Sequence, residues 1–455
     1  MQELYKNFKK EVEFIDKFLL LIIISIPFLL AISIFLADFA SSIAGIILIY
    51  VLFKKKNYFL KKIKTEIIFM VIFYLIILTS LLFTEYFKIS FLASFFYFRY
   101  LLLSLTIYYL LMKYDFFIKI FSYSLILTML IVLIDALIQY FIGKNLFGYE
   151  LLGVKGNIDI LALKPVTGFF NEEKKIGSYL VRFLPLTLAV IYWHTKNIKN
   201  ILSISCLIFT GSIIFLSTER TALFLFFIVV ISYLFIAKYK VKFISFTILI
   251  FSLLAVTNPQ HTIKYTKFTL LQILDIQESK PHKKLDMSSV KFYSSEHENF
   301  IFTSIKIFEE NFLFGSGVKT FYHECHNLKK NKFKELAPNQ RNNELVCSTH
   351  PHNTYFQLLS DIGIFGFILG FYVLCHIILI YCKFIIKIYK NDKINISYYF
   401  INLGVLINIF PMVPSGNIFN NWISLILFYL LGFWLFIKKD LNNTLKNTPI
   451  DNVSY

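Results

Sequence analysis

The sequence predicts an all-α integral membrane protein of about 12 transmembrane helices, and three observations carry that reading. Of its 455 residues 57% are apolar and only 16% charged, and the mean hydropathy is +0.65, well outside the range of soluble domains. Apolar runs near ~20 residues, the length that crosses a ~30 Å hydrocarbon core, recur along the chain. The lysines fall between those runs with a strong bias to one side.

The runs predict spans at 18–37, 39–53, 66–84, 92–112, 120–142, 177–194, 199–217, 221–237, 243–257, 354–382, 396–414 and 420–437. The first follows Lys9 and Lys10 and is too long for the apolar core of a cleaved signal, so it reads as an anchor. An even number of spans puts both termini on one side. Loops on that side hold 24 lysines, against six (Lys88, Lys144, Lys155, Lys164, Lys174 and Lys175) in the short opposite loops. By the positive-inside rule both termini are cytoplasmic. This divides the chain into an N-terminal bundle of about nine helices (1–257) with a medium outer loop at 143–176, a large outer loop (258–350), C-terminal helices (351–439) and a cytoplasmic tail (440–455). The large loop is of mixed charge, with 13 Lys or Arg against 10 Asp or Glu. Phe300, Ile301, Ile305 and Phe308 recur at helical spacing there, predicting a helix near Glu298–Glu310, with a turn at Gly315-Ser316-Gly317 after it. The net charge of +18 is dispersed between apolar runs, which argues against nucleic-acid binding.

Seven of the nine histidines (His261, His282, His297, His323, His326, His350 and His352) lie between 261 and 352, close to the membrane on the outer side. Most read as solvated loop residues. His352 is singled out because it stands where the polar loop enters an apolar helix, and an imidazole of ordinary pKa near ~6.5 can take a proton from a hydroxyl at neutral pH. Arg220 sits in a two-residue outer turn, Glu219-Arg220, between two spans. A guanidinium there can grip a diphosphate bidentately or snorkel to lipid headgroups. Glu219 is read as a structural partner of Arg220, with a catalytic base as the alternative. Arg99 and Arg182 lie in or at the edge of apolar spans, where a charge needs a cavity or a partner, and Asp135 is a candidate mate for either. Arg99 reads as structural; for Arg182 a structural and a functional role are both open. Cys206, Cys375 and Cys382 fall in apolar spans. Cys325 and Cys347 share the outer loop, where a disulfide is favoured by the compartment; zinc held by Cys325, His326, Cys347 and His350 is the alternative, with a spacing that matches no compact ligand motif.

His352-Asn353, nine residues and then Gly363-x-x-Gly366 fit the pattern H-[NSQ]-x9-G-x-x-G, and the wider segment resembles the O-antigen ligase and polymerase superfamily. The resemblance extends from about Asp135 and Gln139 to about residue 435, through Pro411-Met412-Val413-Pro414-Ser415-Gly416-Asn417, and is strongest over 315–370. It implies transfer of a polyprenyl-diphosphate-linked glycan at the periplasmic face of a bacterial inner membrane, without metal, cofactor or nucleotide sugar. It implies an essential His352, a functional Arg220, an orienting or substrate-binding Asn353, and a substrate role for Arg182 in its Gly177-Ser178-Tyr179-Leu180 context. Gly363 and Gly366 are expected to permit close helix packing. The family pattern Phe-Arg-x-x-Cys is replaced here by Phe321-Tyr322-His323-Glu324-Cys325, so the second diphosphate-binding arginine is missing from its slot. Arg341, the one arginine of the large loop, is assigned that role, with Lys319 as the alternative. A complete motif favours ligation to lipid A core. Polymerisation, glycan transfer to a protein hydroxyl, and a transporter of lipid-linked glycans with Arg99, Arg182 and Asp135 along its pathway are the other readings.

Overall fold

The computed structural model describes residues 12–54, 58–151, 165–195, 198–273, 293, 295–335, 347–392, 394–411 and 413–445. The described residues are helical apart from turns, loops and one isolated bridge between Lys144 and Glu150. In chain order the main helices are α1 (Phe14–Ile32), α2 (Ile34–Lys54), α3 (Lys64–Ser80), α4 (Phe87–Phe95), α5 (Phe98–Lys113), α6 (Phe117–Ile142), α7 (Ile176–His194) and α8 (Lys199–Ser217). They continue as α9 (Arg220–Ile236), α10 (Lys240–Thr257), α11 (Pro259–Ile273), α12 (Ser295–Glu310), α13 (Phe321–Glu335), α14 (Thr354–Tyr389), α15 (Ile396–Asn408) and α16 (Asn421–Leu445). Among the described residues nine helical stretches are long and apolar enough to cross a membrane, and α9 and α15 are shorter apolar helices. The protein is therefore an all-α, multi-pass membrane protein.

Every predicted span meets a helix, with displaced ends. The run at 92–112 is broken at Phe96 and Tyr97 into α4 and α5. The turn between α1 and α2 falls at Ser33, inside what reads as one apolar run, because a single extended residue suffices to reverse the chain. The span expected at 396–414 stops at Asn408, before Pro411, whose missing N–H and ring oppose a helix there. The helix expected near Glu298–Glu310 is α12, while α11 and α13 lie in stretches not predicted to be helical.

With no water in the hydrocarbon region, every polar group there needs a protein partner. Pro27 interrupts α1 and removes the N–H that Ile23 would have used. The Tyr429 hydroxyl from α16 takes over, donating to the Ile23 carbonyl at 2.8 Å, and Tyr179 of α7 donates to the Pro27 carbonyl at 2.8 Å. Trp434 Nε1 reaches Asn402 Oδ1 at 3.1 Å. These bonds tie α16 and α7 to α1 and α15 in a core of large buried aromatics, with α16 lying against α5 and α15 against α7.

The intramembrane charges are matched locally, in pairings the sequence did not predict. Arg99 bonds Asp38, Nε to Oδ1 at 2.9 Å, and Asn421 of α16 donates to the same carboxylate. Asp16 takes Lys113, with Tyr109 and Tyr114 also donating to it. Asp135 pairs with neither arginine: it accepts from the Leu146 N–H at 2.9 Å and from Asn145 Nδ2 at 3.2 Å, closing the turn after α6. Gln139, one turn further along α6, accepts from the Thr167 and Gly168 N–H groups and fixes the segment that leads into α7.

The feature that places the site is a break in α14. Gly363 has φ +69, outside the helical region, so the helix is interrupted there. The 312–317 segment crosses the break: Ile364 N–H donates to the Phe312 carbonyl (3.0 Å), Ser316 N–H to Ser360 (2.9 Å) and Gly317 N–H to Asp361 (2.9 Å). The crossing is backbone on backbone. A Cβ on Gly315 would lie 2.4 Å from the Asp361 carbonyl carbon, and one on Gly363 2.4 Å from the Leu313 carbonyl oxygen. The close approach expected of Gly363 is thus made by a loop, not by a neighbouring helix, and Gly366 faces Ile362 of its own helix.

Gly363→Ala would set a side chain at positive φ, a cost of about 1–2 kcal/mol, and drive it into the Leu313 carbonyl. The purified protein should unfold at a clearly lower temperature by scanning fluorimetry, whereas Gly404→Ala, whose Cβ would meet nothing nearer than 3.5 Å, should stay near wild type. Equal midpoints for the two variants would mean that the crossing contributes nothing to the fold.

Candidate functional site

The short half of α14, from Thr354 to Ile362, ends at a polar corner. Asn353 is its N-cap: the side-chain oxygen accepts from the Tyr355 and Phe356 N–H groups at 3.0 and 3.3 Å, which satisfies two of the donors a helix start leaves open. Its amide nitrogen donates to the Pro411 carbonyl at 2.9 Å. Both ends of the side chain thus take part in bonds that fasten the helix start, and only 5% of the residue is exposed. Tyr355 adds a bond from its hydroxyl to the Ile409 carbonyl at 2.7 Å. Gln357 links to Asn417 and Ile418, so the half-helix is fastened to the segment that joins α15 to α16.

His352 precedes the cap in a left-handed conformation, φ +56, which a non-glycine residue adopts rarely and mainly where surrounding bonds hold it. Its carbonyl accepts from the Ser415 N–H at 2.7 Å. On the other flank Cys347 is joined to Cys325 of α13 by a disulfide, so the expected bridge is present and its two sulfurs are not available to zinc. Residues 347–353 are thereby pinned at both ends.

The imidazole of His352 is half-buried among rings. Its centroid lies 4.0 Å from that of His350, 5.2 Å from Phe300 and 5.8 Å from His297, the last two on α12, which packs against α14. Nε2 is 3.1 Å from the Ser348 hydroxyl. Burial, with His350 and His297 close by, pushes the His352 pKa down to about 4. The ring is therefore neutral at pH 7.

Arg220 opens α9 and is exposed. The adjacent Glu219 receives the Gly177 N–H at 2.6 Å and the Ser178 N–H at 2.9 Å, capping α7 across the interface. Gly177 leaves room for this: a Cβ there would meet Ser217 Oγ at 2.7 Å. Burial raises the Glu219 pKa to about 7, against the two N–H groups that favour its charge. Burial lowers the His297 pKa, with Glu296 acting against that shift and Arg220 adding to it. His297 thus lies beside His352 and within the electrostatic reach of Arg220. Two segments more than a hundred residues apart meet at one corner through α12.

Arg182 is placed differently. It is 4% exposed, its Nη1 donates to Asn408 Oδ1 at 2.8 Å, and its Nε has no hydrogen-bond partner among the described residues. The guanidinium is enclosed, and its bond to Asn408 ties α7 to the end of α15. Arg341 and His282 lie outside the described residues. Lys319, the alternative cation, has φ +64, donates its N–H to Asp361 at 3.2 Å, and has Arg99, Asp38 and Asp361 as its charged neighbours. His323 and His326 pack on Tyr86 and Tyr322, and His261 lies by Phe215.

One nearby cation was missed by the sequence reading. Lys264 of α11 donates to Thr218 Oγ1 at 2.9 Å, two residues from Arg220. Nothing in the sequence separates it from the other lysines of the large loop, because the signal is its position on a helix that periodicity did not reveal.

The family model described as O-antigen ligase matches residues 205–371, a segment that contains Arg220, Lys264, His297, His352, Asn353, Gly363 and Gly366. The matched segment, which is less than half of the chain, is similar to that family. The matched segment is narrower than the resemblance read from the sequence and contains neither Asp135 and Arg182 nor the turn at 411–417. No curated protein matches the chain. The similarity of this segment to O-antigen ligases supports a glycan-transfer role at a membrane.

The lowered His352 pKa has a signed consequence. In the unfolded chain this histidine takes up a proton near pH 6.5, the folded site resists until about 4, and stability falls as pH drops through that window. Carbethoxylation of His352, read by peptide mass spectrometry, should continue undiminished from pH 7 to about 5. A midpoint near 6.5 would mean that the ring is solvated and the packing around it is wrong.

Proposed function

We propose that this chain is a membrane glycosyltransferase that moves an oligosaccharide from a polyprenyl-diphosphate donor to an acceptor hydroxyl at the periplasmic face of a bacterial inner membrane. The convergence of Arg220 and His352 on one corner, joined through His297, carries this reading. Both termini are then cytoplasmic, and α11, α12 and α13 stand in the periplasm above the membrane. The acceptor favoured by the complete His352–Gly366 motif is lipid A core, which makes the reaction a ligation in lipopolysaccharide biosynthesis.

In the proposed step the acceptor hydroxyl lies against Nε2 of His352, the atom now 3.1 Å from the Ser348 hydroxyl. The acceptor oxygen bonds to the anomeric carbon as the bond from that carbon to the diphosphate oxygen breaks, and the hydroxyl proton passes to the neutral imidazole. Negative charge grows on the leaving diphosphate, so a fixed guanidinium at Arg220 stabilises the transition state more than the bound donor. Asn353 acts by position, holding the half-helix that aims His352. No step in this scheme draws on a nucleotide sugar or a metal.

The transport reading would place Arg99, Arg182 and Asp135 along a pathway. Each is instead held by Asp38, Asn408 or Asn145 and Leu146 respectively, which favours the enzyme.

Transfer by the purified protein, with chelator present, would be followed from a polyprenyl-diphosphate oligosaccharide to lipid A core, to a second lipid-linked repeat and to a protein acceptor. His352→Ala should lower the rate by roughly 10²–10⁴-fold, the range of a lost general base, and Arg220→Ala by about 10²-fold, with both variants still folded. Full activity in His352→Ala would exclude this mechanism and return weight to transport; a product formed only on the lipid-linked repeat would make the enzyme a polymerase.

A further inference from the structure

The segment from Cys347 to His352 carries two hydroxyls, and each meets an imidazole. Ser348 Oγ lies 3.1 Å from Nε2 of His352, and Thr349 Oγ1 lies 3.0 Å from Nδ1 of His350. The two pairs differ in setting. Thr349 is exposed, and Nε2 of its partner His350 lies 3.3 Å from the Ser415 carbonyl oxygen, which can only accept, so that ring is tied to the turn behind it. Ser348 is half-buried, and the ring it meets has Phe300 and His297 of α12 packed beside it.

The chain holds the Ser348–His352 pair from both sides. Cys347, the residue before Ser348, is bridged to Cys325 of α13, and the His352 carbonyl takes the Ser415 N–H at 2.7 Å. Pro351 is buried and His352 is left-handed, φ 56, and the bend they make lets the imidazole reach a side chain four residues earlier. An oxygen at this distance from Nε2 is within the reach required of a hydroxyl that gives its proton to a general base. In the reaction proposed above, the acceptor hydroxyl occupies that same place. A donor position that lets an external hydroxyl there meet the anomeric carbon also brings that carbon to Ser348 Oγ.

We propose that Ser348 is a self-glycosylation site: when no external acceptor occupies the corner, the chain transfers the oligosaccharide of a polyprenyl-diphosphate donor to its own Ser348 Oγ. The proposal rests on the glycosyltransfer reading and deepens it, naming one protein hydroxyl as an acceptor. In the step Ser348 Oγ bonds to the anomeric carbon. The bond from that carbon to the diphosphate oxygen breaks, its electron pair leaves with the diphosphate, and the hydroxyl proton passes to Nε2 of His352. No further reagent is consumed. The glycan on Ser348 then covers Nε2, so a chain that has modified itself no longer offers that nitrogen to another acceptor.

The test uses the full chain, prepared from cells that lack the donor glycan, placed in nanodiscs and incubated with a polyprenyl-diphosphate oligosaccharide and no acceptor. Intact-protein mass spectrometry and peptide mapping with electron-transfer fragmentation follow the product. Wild type should gain the mass of one oligosaccharide, on Ser348, and should then transfer little to lipid A core added afterwards. His352→Ala should slow the gain by at least ~10²-fold, the lower end for a lost general base. Ser348→Ala should gain nothing, Ser348→Thr, which keeps a hydroxyl, should recover part of the gain, and Thr349→Val should be modified as wild type. The modified wild-type peptide is the deciding readout, since a hydroxyl that only orients the ring would not produce it. Unmodified Ser348 in a wild type that transfers glycan to an external acceptor would overturn the proposal and leave the glycosyltransfer reading standing. A glycan on Thr349 instead, or on Ser348 at undiminished rate in His352→Ala, would overturn it as well. No transfer to any acceptor, Ser348 included, would remove both readings together.

Discussion

The crossing of the 312–317 segment over the break at Gly363 is the constraint on which the rest of the site depends. A continuous α14 would carry its hydrogen-bond ladder through residues 360–364 and leave the crossing segment without backbone partners. Because the ladder is broken at a glycine with φ +69, the carbonyls of Ser360 and Asp361 are offered to Ser316 and Gly317 instead. Two backbones can approach this closely only where neither carries a Cβ, which is what Gly315 and Gly363 provide. The half-helix above the break is then free to end at Asn353, and the cap sets His352 in its left-handed conformation with the disulfide from Cys325 as the second fastening. Order at His352 thus derives from contacts made ten residues away and farther.

Charge is handled in two ways in this molecule. Within the bundle ionic side chains find partners on neighbouring helices, as Arg99 does with Asp38 and Lys113 with Asp16, or in an adjoining turn, as Asp135 does, in keeping with the high cost of leaving one unpaired in hydrocarbon. At the corner near His352 the balance is different: Lys264, Lys174 and Arg220 converge from three segments, with three imidazoles close by and Glu219 turned toward the start of α7. The first arrangement closes on itself and stabilises the fold. At the second, burial and the neighbouring imidazoles lower the His352 pKa and keep that ring neutral.

Much of the architecture was legible because hydrocarbon imposes a simple rule, that a spanning helix needs an apolar run of sufficient length, and each predicted span meets a helix. Boundaries were poorly legible where the run gives no signal of a turn, as at Ser33, or where a break such as Phe96-Tyr97 is itself apolar. The motif around His352 and Gly363 was legible as spacing, but the reason for its first glycine was not, since the crossing segment lies some fifty residues earlier. The partners of Arg99 and Asp135 were misjudged for the same reason: which helices adjoin is not written in the periodicity of any one of them.

The sequence by itself determined that the chain is a multi-pass helical membrane protein, that a segment of it resembles O-antigen ligases, that its polar residues collect next to one helix entrance, and that His352 and Arg220 are the candidates to test first. Those conclusions follow from local composition and spacing, which a chain carries in one dimension. Tertiary structure alone decided that His297 packs beside His352, that Asn353 reaches the Pro411 carbonyl, that Arg182 is enclosed against Asn408, and that Lys264 bonds Thr218. Each of these is a contact between segments far apart in sequence, set by how the helices pack and by the satisfaction of buried polar groups, and no local pattern encodes it.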